Sequence, residues 1–219
     1  MAKPPVVLST LALKGVLEKL RPQAELRFDA TQAILKRLAE GERADLLILT
    51  REATDDLRKK GRVTRTCVLG RSGVGVAVRS GAPRPDIRSP EAFVRALLSA
   101  SSVAHSKVGA SGLHFAALLE KLGIAGQLKK RVVVEKGPVG LVVARGEAEI
   151  GIQQLCELAP VPGIDIVGPL PAQYQAVTHF AAGIPAGAAD ARGAMAIMQL
   201  LRSQAARSAM LANGMQPAA

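Results

Sequence analysis

The chain has 219 residues, of which 48% are hydrophobic and 2% aromatic, and its formal net charge is +11 at pH 7. This length fits one large α/β domain or two lobes of about 100 residues each. The chain has no Trp and a single Tyr, Tyr174, which argues against a platform on which nucleic-acid bases stack. Its Lys and Arg residues cluster briefly at 58–65 and 129–131 and otherwise alternate with acidic residues, so we interpret them as solvated helix faces and expect no nucleic-acid partner.

Targeting and redox signals are sparse. No uninterrupted apolar run of about 18 residues occurs, so we expect no membrane insertion. The first eight residues have no apolar run of signal-peptide length, which predicts a cytoplasmic protein, or a periplasmic one if an export signal was removed. Cys67 and Cys156 lack the spacing of a metal or redox motif. We therefore expect free buried thiols and neither a metal nor a cofactor.

Short apolar strands alternate with amphipathic helices, a pattern typical of α/β folds with mostly parallel sheets. The first series predicts strands at 6–8, 25–28, 45–49 and 65–69, with helices at 11–20, 31–40 and 53–60. The run Gly70-Arg-Ser-Gly-Val-Gly75 precedes a strand rather than a helix, so we interpret it as a turn and not as a phosphate loop. After a strand at 73–78, a break rich in Gly and Pro at 79–85 predicts a lobe boundary.

The second part of the chain, from Ser89 onward, repeats this alternation of strands and helices. Ser89 and Pro90 are typical of a helix start, because Ser is a favoured N-cap and Pro is tolerated at the first helical position. The elements that follow are predicted as a helix to 98, a strand at 102–105, a helix at 111–122, a strand at 131–134, a helix at 138–145, strands at 149–152 and 164–167, a returning strand at 176–182, and closing helices at 188–202 and 204–211.

These elements predict two lobes joined by two crossings, near 73–82 and 175–184. Lobe I is expected to contain residues 1–78 and 180–219, and lobe II residues 79–179, each a mostly parallel sheet flanked by helices. Two crossings suit a hinge, so we expect a ligand cleft between the lobes that closes like a Venus flytrap.

Small hydroxyl residues or glycines stand directly before several predicted helices. A helix amino terminus presents unpaired N–H groups and the positive end of its dipole, and together with a neighbouring hydroxyl it can hold an anion. Each start by itself also fits an ordinary N-cap. Their distribution over both lobes favours a shared anion site, and the predicted ligand-binding residues at these starts are Ser9, Thr10, Thr31, Gln32, Ser111, Gly112, Pro138 and Val139.

Two adjacent amides, Gln153 and Gln154, lie where an apolar strand gives way to a short helix. Polar side chains at the carboxyl end of a buried strand usually face a ligand crevice. Because neighbouring side chains of a strand point to opposite faces, one of the two is enough to reach a ligand, and we predict that Gln153 does so.

Catalytic motifs are absent from the sequence: it has no nucleophile elbow, HExxH, CxxC or Walker pattern. An enzyme built on this chain would rely on proton transfer alone. His105, His114 and His179 lack metal-ligand spacing, and a structural role fits each of them. His105 and His114 nevertheless flank the helix start at 109–112, and with Lys107 they are the candidates for a proton-transfer group.

The residues at these positions resemble the type II periplasmic binding protein superfamily, and within it the molybdate-binding-protein-like branch. The resemblance covers nearly the whole chain: Val7 to Ala12 is similar to the family's first strand and ligand-binding turn, Asp29 to Ala33 to its second element, and Ala44 to Leu49 to the strand that ends its first unit. Asn213 to Pro217 is similar to the family's closing segment. The resemblance implies an α/β, two-lobed fold.

Three longer runs, Ser111 to Ile124, Gly137 to Leu158 and Pro162 to Pro171, are similar to a subgroup that includes binding proteins and aconitate-isomerase-like enzymes. Within the family's second element, Thr31 and Gln32 stand where Ser and Gly are usual. A side-chain amide suits a planar carboxylate as well as hydroxyls and backbone amides suit an oxyanion. The ligand class thus stays open between an oxyanion and a di- or tricarboxylate.

The resemblance implies, first, a solute-binding protein of the molybdate-binding-like ABC transporter family that binds a small anion. The alternative is an isomerase that uses the same pocket for a proton shift in an unsaturated polycarboxylate, with His105, Lys107 or His114 as the base. A third class, the ligand-sensing domain of a regulator, shares the architecture but normally carries a helix-turn-helix segment. The expected partners are the small anion and an ABC permease, and we expect a monomer.

Overall fold

The computed structural model describes residues 3–219, in which helices and strands alternate as the sequence predicts. The strands are β1 (Val6–Thr10), β2 (Glu25–Asp29), β3 (Leu46–Thr50), β4 (Val63–Arg79), β5 (Val103–Ser106), β6 (Arg131–Val134), β7 (Ile150–Gln154), β8 (Ile164–Pro169), β9 (Val177–Pro185) and β10 (Gln216–Pro217). The helices are α1 (Lys14–Leu20), α2 (Thr31–Ala39), α3 (Arg51–Lys59), α4 (Pro90–Ser99), α5 (Ala110–Lys121), α6 (Val139–Ala144), α7 (Leu155–Leu158), α8 (Ala191–Leu200) and α9 (Gln204–Ala212), with 3-10 helices at Leu11–Leu13 and Ala172–Tyr174.

The chain forms two compact units. Unit 1 contains residues 3–72 together with Thr178–Ala219, and unit 2 contains Gly73–Val177. The long strand β4 supplies its first part to unit 1 and its last part to unit 2. The α/β fold class with mainly parallel pairing and flanking helices is confirmed.

In unit 1 the strand order is β2-β1-β3-β9-β4. Strand β1 pairs in parallel with both β2 and β3, so that Ser9 lies opposite Phe28 on one side and Ile48 on the other. The carboxyl ends of these three strands are therefore adjacent. Strand β9 lies beside β3 and runs antiparallel to it, so the parallel part of the sheet ends at β3.

In unit 2 the order β4-β7-β5-β6 places parallel strands β7, β5 and β6 side by side, while β4 runs antiparallel to β7 and to β8. The buried core around Phe93 and Phe115 fills the space between this sheet and helices α4 and α5. On the other face, Ala104 packs with Val139 and Val142 of α6. Unit 1 has an aliphatic core built around residues such as Leu8, Ile34 and Leu49, in line with the low aromatic content.

The predicted turn at 70–75 is wrong, because β4 runs without interruption through it. The glycines allow other residues to approach β4 closely, and they do not form a turn. A Cβ at Gly70 would lie 2.6 Å from the carbonyl oxygen of Gln216, and one at Gly75 would lie 2.3 Å from a methyl carbon of Leu155. Glycine inside a strand often marks such a contact, and the contact is invisible in the local sequence.

Candidate functional site

Three threonines line the carboxyl edge of the parallel strands in unit 1. Thr10 and Thr50 are the last residues of β1 and β3, and Thr31 is the first residue of α2, which follows β2. Because β1 lies between β2 and β3, the three chain segments are neighbours at this edge. Ligands of open α/β sheets bind at the carboxyl ends of strands, so this edge is the candidate site of unit 1.

The predicted pair Ser9 and Thr10 is buried at the end of β1. The Ser9 hydroxyl donates to the carbonyl oxygen of Thr10 at 3.0 Å, and Thr10 Oγ1 accepts from the backbone N–H of Ala12 at 3.0 Å. Thr10 is thus the N-cap of the 3-10 helix Leu11–Leu13. The cap uses an acceptor lone pair of this hydroxyl and leaves its proton for another partner.

Thr31 and Gln32 open α2, as predicted. Thr31 Oγ1 accepts from the N–H of Thr50 at 3.3 Å, which ties the start of α2 to the end of β3, while Gln32 is exposed. Across the described part of the chain, no side chain caps α2 by a hydrogen bond. The first N–H groups of this helix therefore lack an intrahelical or side-chain acceptor.

Thr50 and Arg51 belong to the same edge, and the sequence prediction missed them. Thr50 Oγ1 caps α3 by accepting from Ala53 N–H at 3.4 Å, and Arg51 is the exposed first residue of that helix, 3.5 Å from Asp55. The predicted helix started at Ala53, two residues after the observed start of α3, so Thr50 was not recognised as the residue directly before the helix. A Thr at the end of an apolar strand was the signal that could have found both residues.

In unit 2, the start of α5 packs tightly against the end of β5. Gly109 N–H donates to Ser106 Oγ at 2.9 Å, and Ser111 and Gly112 are buried. A Cβ at Gly112 would lie only 1.8 Å from the carbonyl oxygen of Ser106. Within residues 3–219 no side-chain hydrogen bond caps α5, so its first N–H groups and its dipole remain available to an anion.

The predicted ligand-binding residues at the start of α6, Pro138 and Val139, lie beside the predicted amide of Gln153. Pro138 is the N-cap of α6, and Gln153 Oε1 accepts from Val139 N–H at 2.8 Å and from Gly140 N–H at 3.4 Å. A carboxamide oxygen thus occupies the place at this helix start that an anion would take. Gln153 is buried, like its neighbour Gln154, and its observed role is to hold α6. Direct contact of Gln153 or Val139 with a ligand stays a prediction.

The other end of the Gln153 amide donates through Nε2 to the Glu157 carboxylate. Burial raises the pKa of Glu157 to about 7, and the hydrogen bond from Gln153 offsets a smaller part of this rise. Two consecutive hydrogen bonds therefore link α7 to β7 and β7 to α6, through Glu157, Gln153 and Val139.

His105 lies one residue before the end of β5 and is 4% exposed. Its Nδ1 lies 3.0 Å from the carbonyl oxygen of Ser106, and its ring packs edge-on against Phe115 with 5.5 Å between centroids. A carbonyl oxygen only accepts, so Nδ1 carries the proton and Nε2 is an acceptor. Among residues 3–219 nothing donates to this Nε2. Burial lowers the pKa of His105 and the positive charge of Arg131 adds to this, while the Ser106 bond opposes them, so the ring is neutral near pH 7.

The other two candidate bases are already engaged. Lys107 is exposed, and its ammonium lies 2.9 Å from the Glu135 carboxylate. His114 is half-buried on α5, and its Nε2 lies 2.8 Å from the carbonyl oxygen of Tyr174, to which it donates. The three candidate bases thus differ in their hydrogen-bond partners, which the sequence did not show.

The described residues contain neither a metal-binding cluster nor a membrane-spanning helix. Residues 3–219 bring together no group of three or more His, Cys, Asp or Glu side chains that could hold a metal ion. Over the same residues, no helix is long and apolar enough to cross a membrane. Cys156 is buried and Cys67 is partly buried, and within the described residues neither takes part in a disulfide.

Among solved structures, the periplasmic molybdate-binding protein of Azotobacter vinelandii is similar over 96% of this chain and 98% of its own, with a TM-score of 0.75 and 17% identity. The sulfate-binding protein SubI of Mycobacterium tuberculosis H37Rv is similar over 99% of this chain and 87% of its own, with a TM-score of 0.70 and 16% identity. At these identities the likeness establishes the fold alone.

Sequence relatives carry the assignment further. A Pseudomonas protein named aconitate isomerase is 41% identical over 194 residues, which is 86% of this chain and 73% of that protein. The family model for bacterial extracellular solute-binding proteins matches residues 22–216. Its match extends over most of both units, so the chain belongs to the bacterial extracellular solute-binding protein family.

Proposed function

We propose that this protein binds a small unsaturated polycarboxylate of the aconitate type and catalyses the proton shift that interconverts its cis and trans isomers. The single observation that carries the proposal is the Pseudomonas aconitate isomerase, which is 41% identical over 86% of this chain. The runs 111–124 and 137–158, which include most of α5 and all of α6 and β7, lie within the same family match.

The residues at the two carboxyl edges support the proposal chemically. The uncapped start of α5 offers N–H donors for a carboxylate, and Thr10 offers a hydroxyl proton. The neutral His105 adds an acceptor lone pair. A bare lone pair repels an ionised carboxylate, whereas a proton shift needs a base, and this difference favours catalysis over binding alone.

The second candidate is a solute-binding protein without catalysis, which the family match over 22–216 favours. In that case the same helix starts would hold the anion, and an ABC permease would be the partner. Periplasmic location would follow from this function, whereas cytoplasmic location fits an enzyme of catabolism.

Proton NMR on trans-aconitate incubated with the protein distinguishes the two candidates, with cis-aconitate as the product to be followed. We expect conversion of either isomer toward one equilibrium mixture. Isothermal titration against cis-aconitate, trans-aconitate, citrate, sulfate and molybdate measures binding in parallel. Binding of a polycarboxylate without conversion supports the receptor, and binding of molybdate or sulfate alone contradicts the proposed substrate class.

Substitution Ser111→Ala is expected to weaken polycarboxylate binding about 10-fold to 100-fold, because one hydrogen bond to a charged group is worth about 1.5–3 kcal/mol. The thermal midpoint should be retained, since alanine favours a helix more than serine does. Calorimetric titration measures the affinity, and Ser208→Ala at an exposed position of α9 is the matched control. An unchanged affinity would remove Ser111 from the site.

The predicted cleft shared by both units stays a prediction, and Thr10→Val tests it. This change removes the hydroxyl that caps Ala12 N–H, which costs about 1 kcal/mol of stability, and also the proton offered to a ligand. We expect Thr10→Val and Ser111→Ala each to weaken the same polycarboxylate. If only the Ser111 variant does so, the Thr10 hydroxyl is not part of the site.

A further inference from the structure

We infer that Nε2 of His105 is the base that removes a proton from the methylene carbon of the substrate and returns it to the opposite carbon of the double bond. This inference rests on the proposed isomerase function and assigns its proton to one atom. The observation behind it is an acceptor nitrogen that is buried at the end of β5 without a donor among the described residues.

The protein itself sets the state of this ring. The carbonyl oxygen of Ser106 holds the proton of the neutral ring on Nδ1, which leaves the lone pair on Nε2. Phe115 packs against the ring and fixes its orientation. A buried polar atom without a partner is rare in proteins and calls for an explanation, and a substrate proton supplies one.

The alternatives are poorer bases as they stand. The ammonium of Lys107 has no lone pair, and it lies 2.9 Å from the Glu135 carboxylate. The Nε2 of His114 carries a proton, which it donates to the carbonyl oxygen of Tyr174, and the ring is only half-buried. Of the three candidate bases, and within the described residues, His105 alone has an acceptor nitrogen that is buried and meets no donor.

The chemistry balances without a cofactor. The methylene C–H bond breaks, Nε2 forms an N–H bond, and the electron pair joins the adjacent double bond to give an allylic carbanion delocalised into a carboxylate. The N–H bond then breaks as the proton adds to the far carbon, and neutral His105 is regenerated with the double bond moved by one position. The first N–H groups of α5 are placed to stabilise the charge that develops on the carboxylate.

The test compares His105→Gln and His105→Asn with wild-type protein, using trans-aconitate as the probe. Both changes remove the basic imidazole nitrogen, and asparagine keeps a donor near Ser106. We expect the conversion rate to fall about 10²-fold to 10⁴-fold, the usual contribution of general acid–base catalysis, with the affinity for trans-aconitate changed only a few-fold. His179→Gln, at a half-buried position of β9 in unit 1, is the matched control and should convert at the wild-type rate.

A second measurement uses the wild-type protein alone, and so does not depend on the folding of a variant. With trans-aconitate deuterated at its methylene carbon, a single buried base should return part of the deuterium to the far carbon of the product in ordinary water. Complete replacement by solvent protons overturns the inference. So does conversion that survives in His105→Gln or that is lost instead in His114→Gln. If wild-type protein binds trans-aconitate but does not convert it, the proposed function fails first and this inference falls with it.

Discussion

The substitution Gly112→Ala is expected to destabilise the protein by about 2–3 kcal/mol, because an extra methyl group in a close-packed site is costly. We also expect it to abolish polycarboxylate binding. The added Cβ would lie 1.8 Å from the carbonyl oxygen and 2.6 Å from the carbonyl carbon of Ser106. Both are backbone atoms of β5, so the first turn of α5 has to move away from the strand. That turn carries Ser111 and the N–H groups proposed to hold the anion.

The sign of the effect is what makes this change informative. Alanine in an unconstrained helix is more favourable than glycine by about 1 kcal/mol, so a loose contact between α5 and β5 would give a more stable protein. Urea denaturation measures the stability and calorimetric titration the affinity. Gly126→Ala is the control, because a Cβ there meets nothing within 4 Å and should change stability by less than about 0.5 kcal/mol. A Gly112→Ala protein with wild-type stability and affinity would contradict the packing.

Substitution Glu157→Gln is expected to stabilise the protein above pH 7 and to change little near pH 4.5. Burial raises the pKa of Glu157 to about 7 from an ordinary 4.5, so the folded state holds a proton that the unfolded state has already lost. The stability associated with this carboxyl is fully present below pH 4.5 and is lost as the pH rises through about 7. Glutamine does not ionise, and its carbonyl oxygen can accept from Gln153 as the carboxylate does.

The gain at pH 8 has an upper bound of about 3 kcal/mol, obtained from 1.36 kcal/mol for each pKa unit. Glu157 as a residue is half-buried, so partial solvation of its charge should reduce this figure. Urea denaturation of both proteins between pH 4.5 and 8 should show curves that meet at the acid end and separate above neutrality. Glu120→Gln, at an exposed position of α5, is the control. Parallel curves over the whole range would contradict the buried state of this carboxyl.

The local sequence predicted the order and type of most elements. Alternating apolar strands and amphipathic helices, together with helix starts such as Ser89-Pro90, are recognisable as an α/β pattern within windows of about ten to fifteen residues. Helix α4 begins at Pro90 as predicted, and Ser89 Oγ accepts from Ala92 N–H at 3.1 Å. The hydroxyls at the end of β1 and at the first residue of α2 were found for the same reason. Each lies within a few residues of the helix that it precedes.

The features predicted correctly from the sequence are thus those that depend on neighbours along the chain: periodicity, helix starts and the alternation of strands and helices. The tertiary structure alone decided the features that depend on distant residues. The glycines at 70–75 continue β4 because of Gln216 and Leu155, Gln153 fills the start of α6, and the unused nitrogen of His105 is defined by what surrounds it in space. Hydrogen bonds and close packing join residues far apart in sequence, and local propensity does not specify these partners.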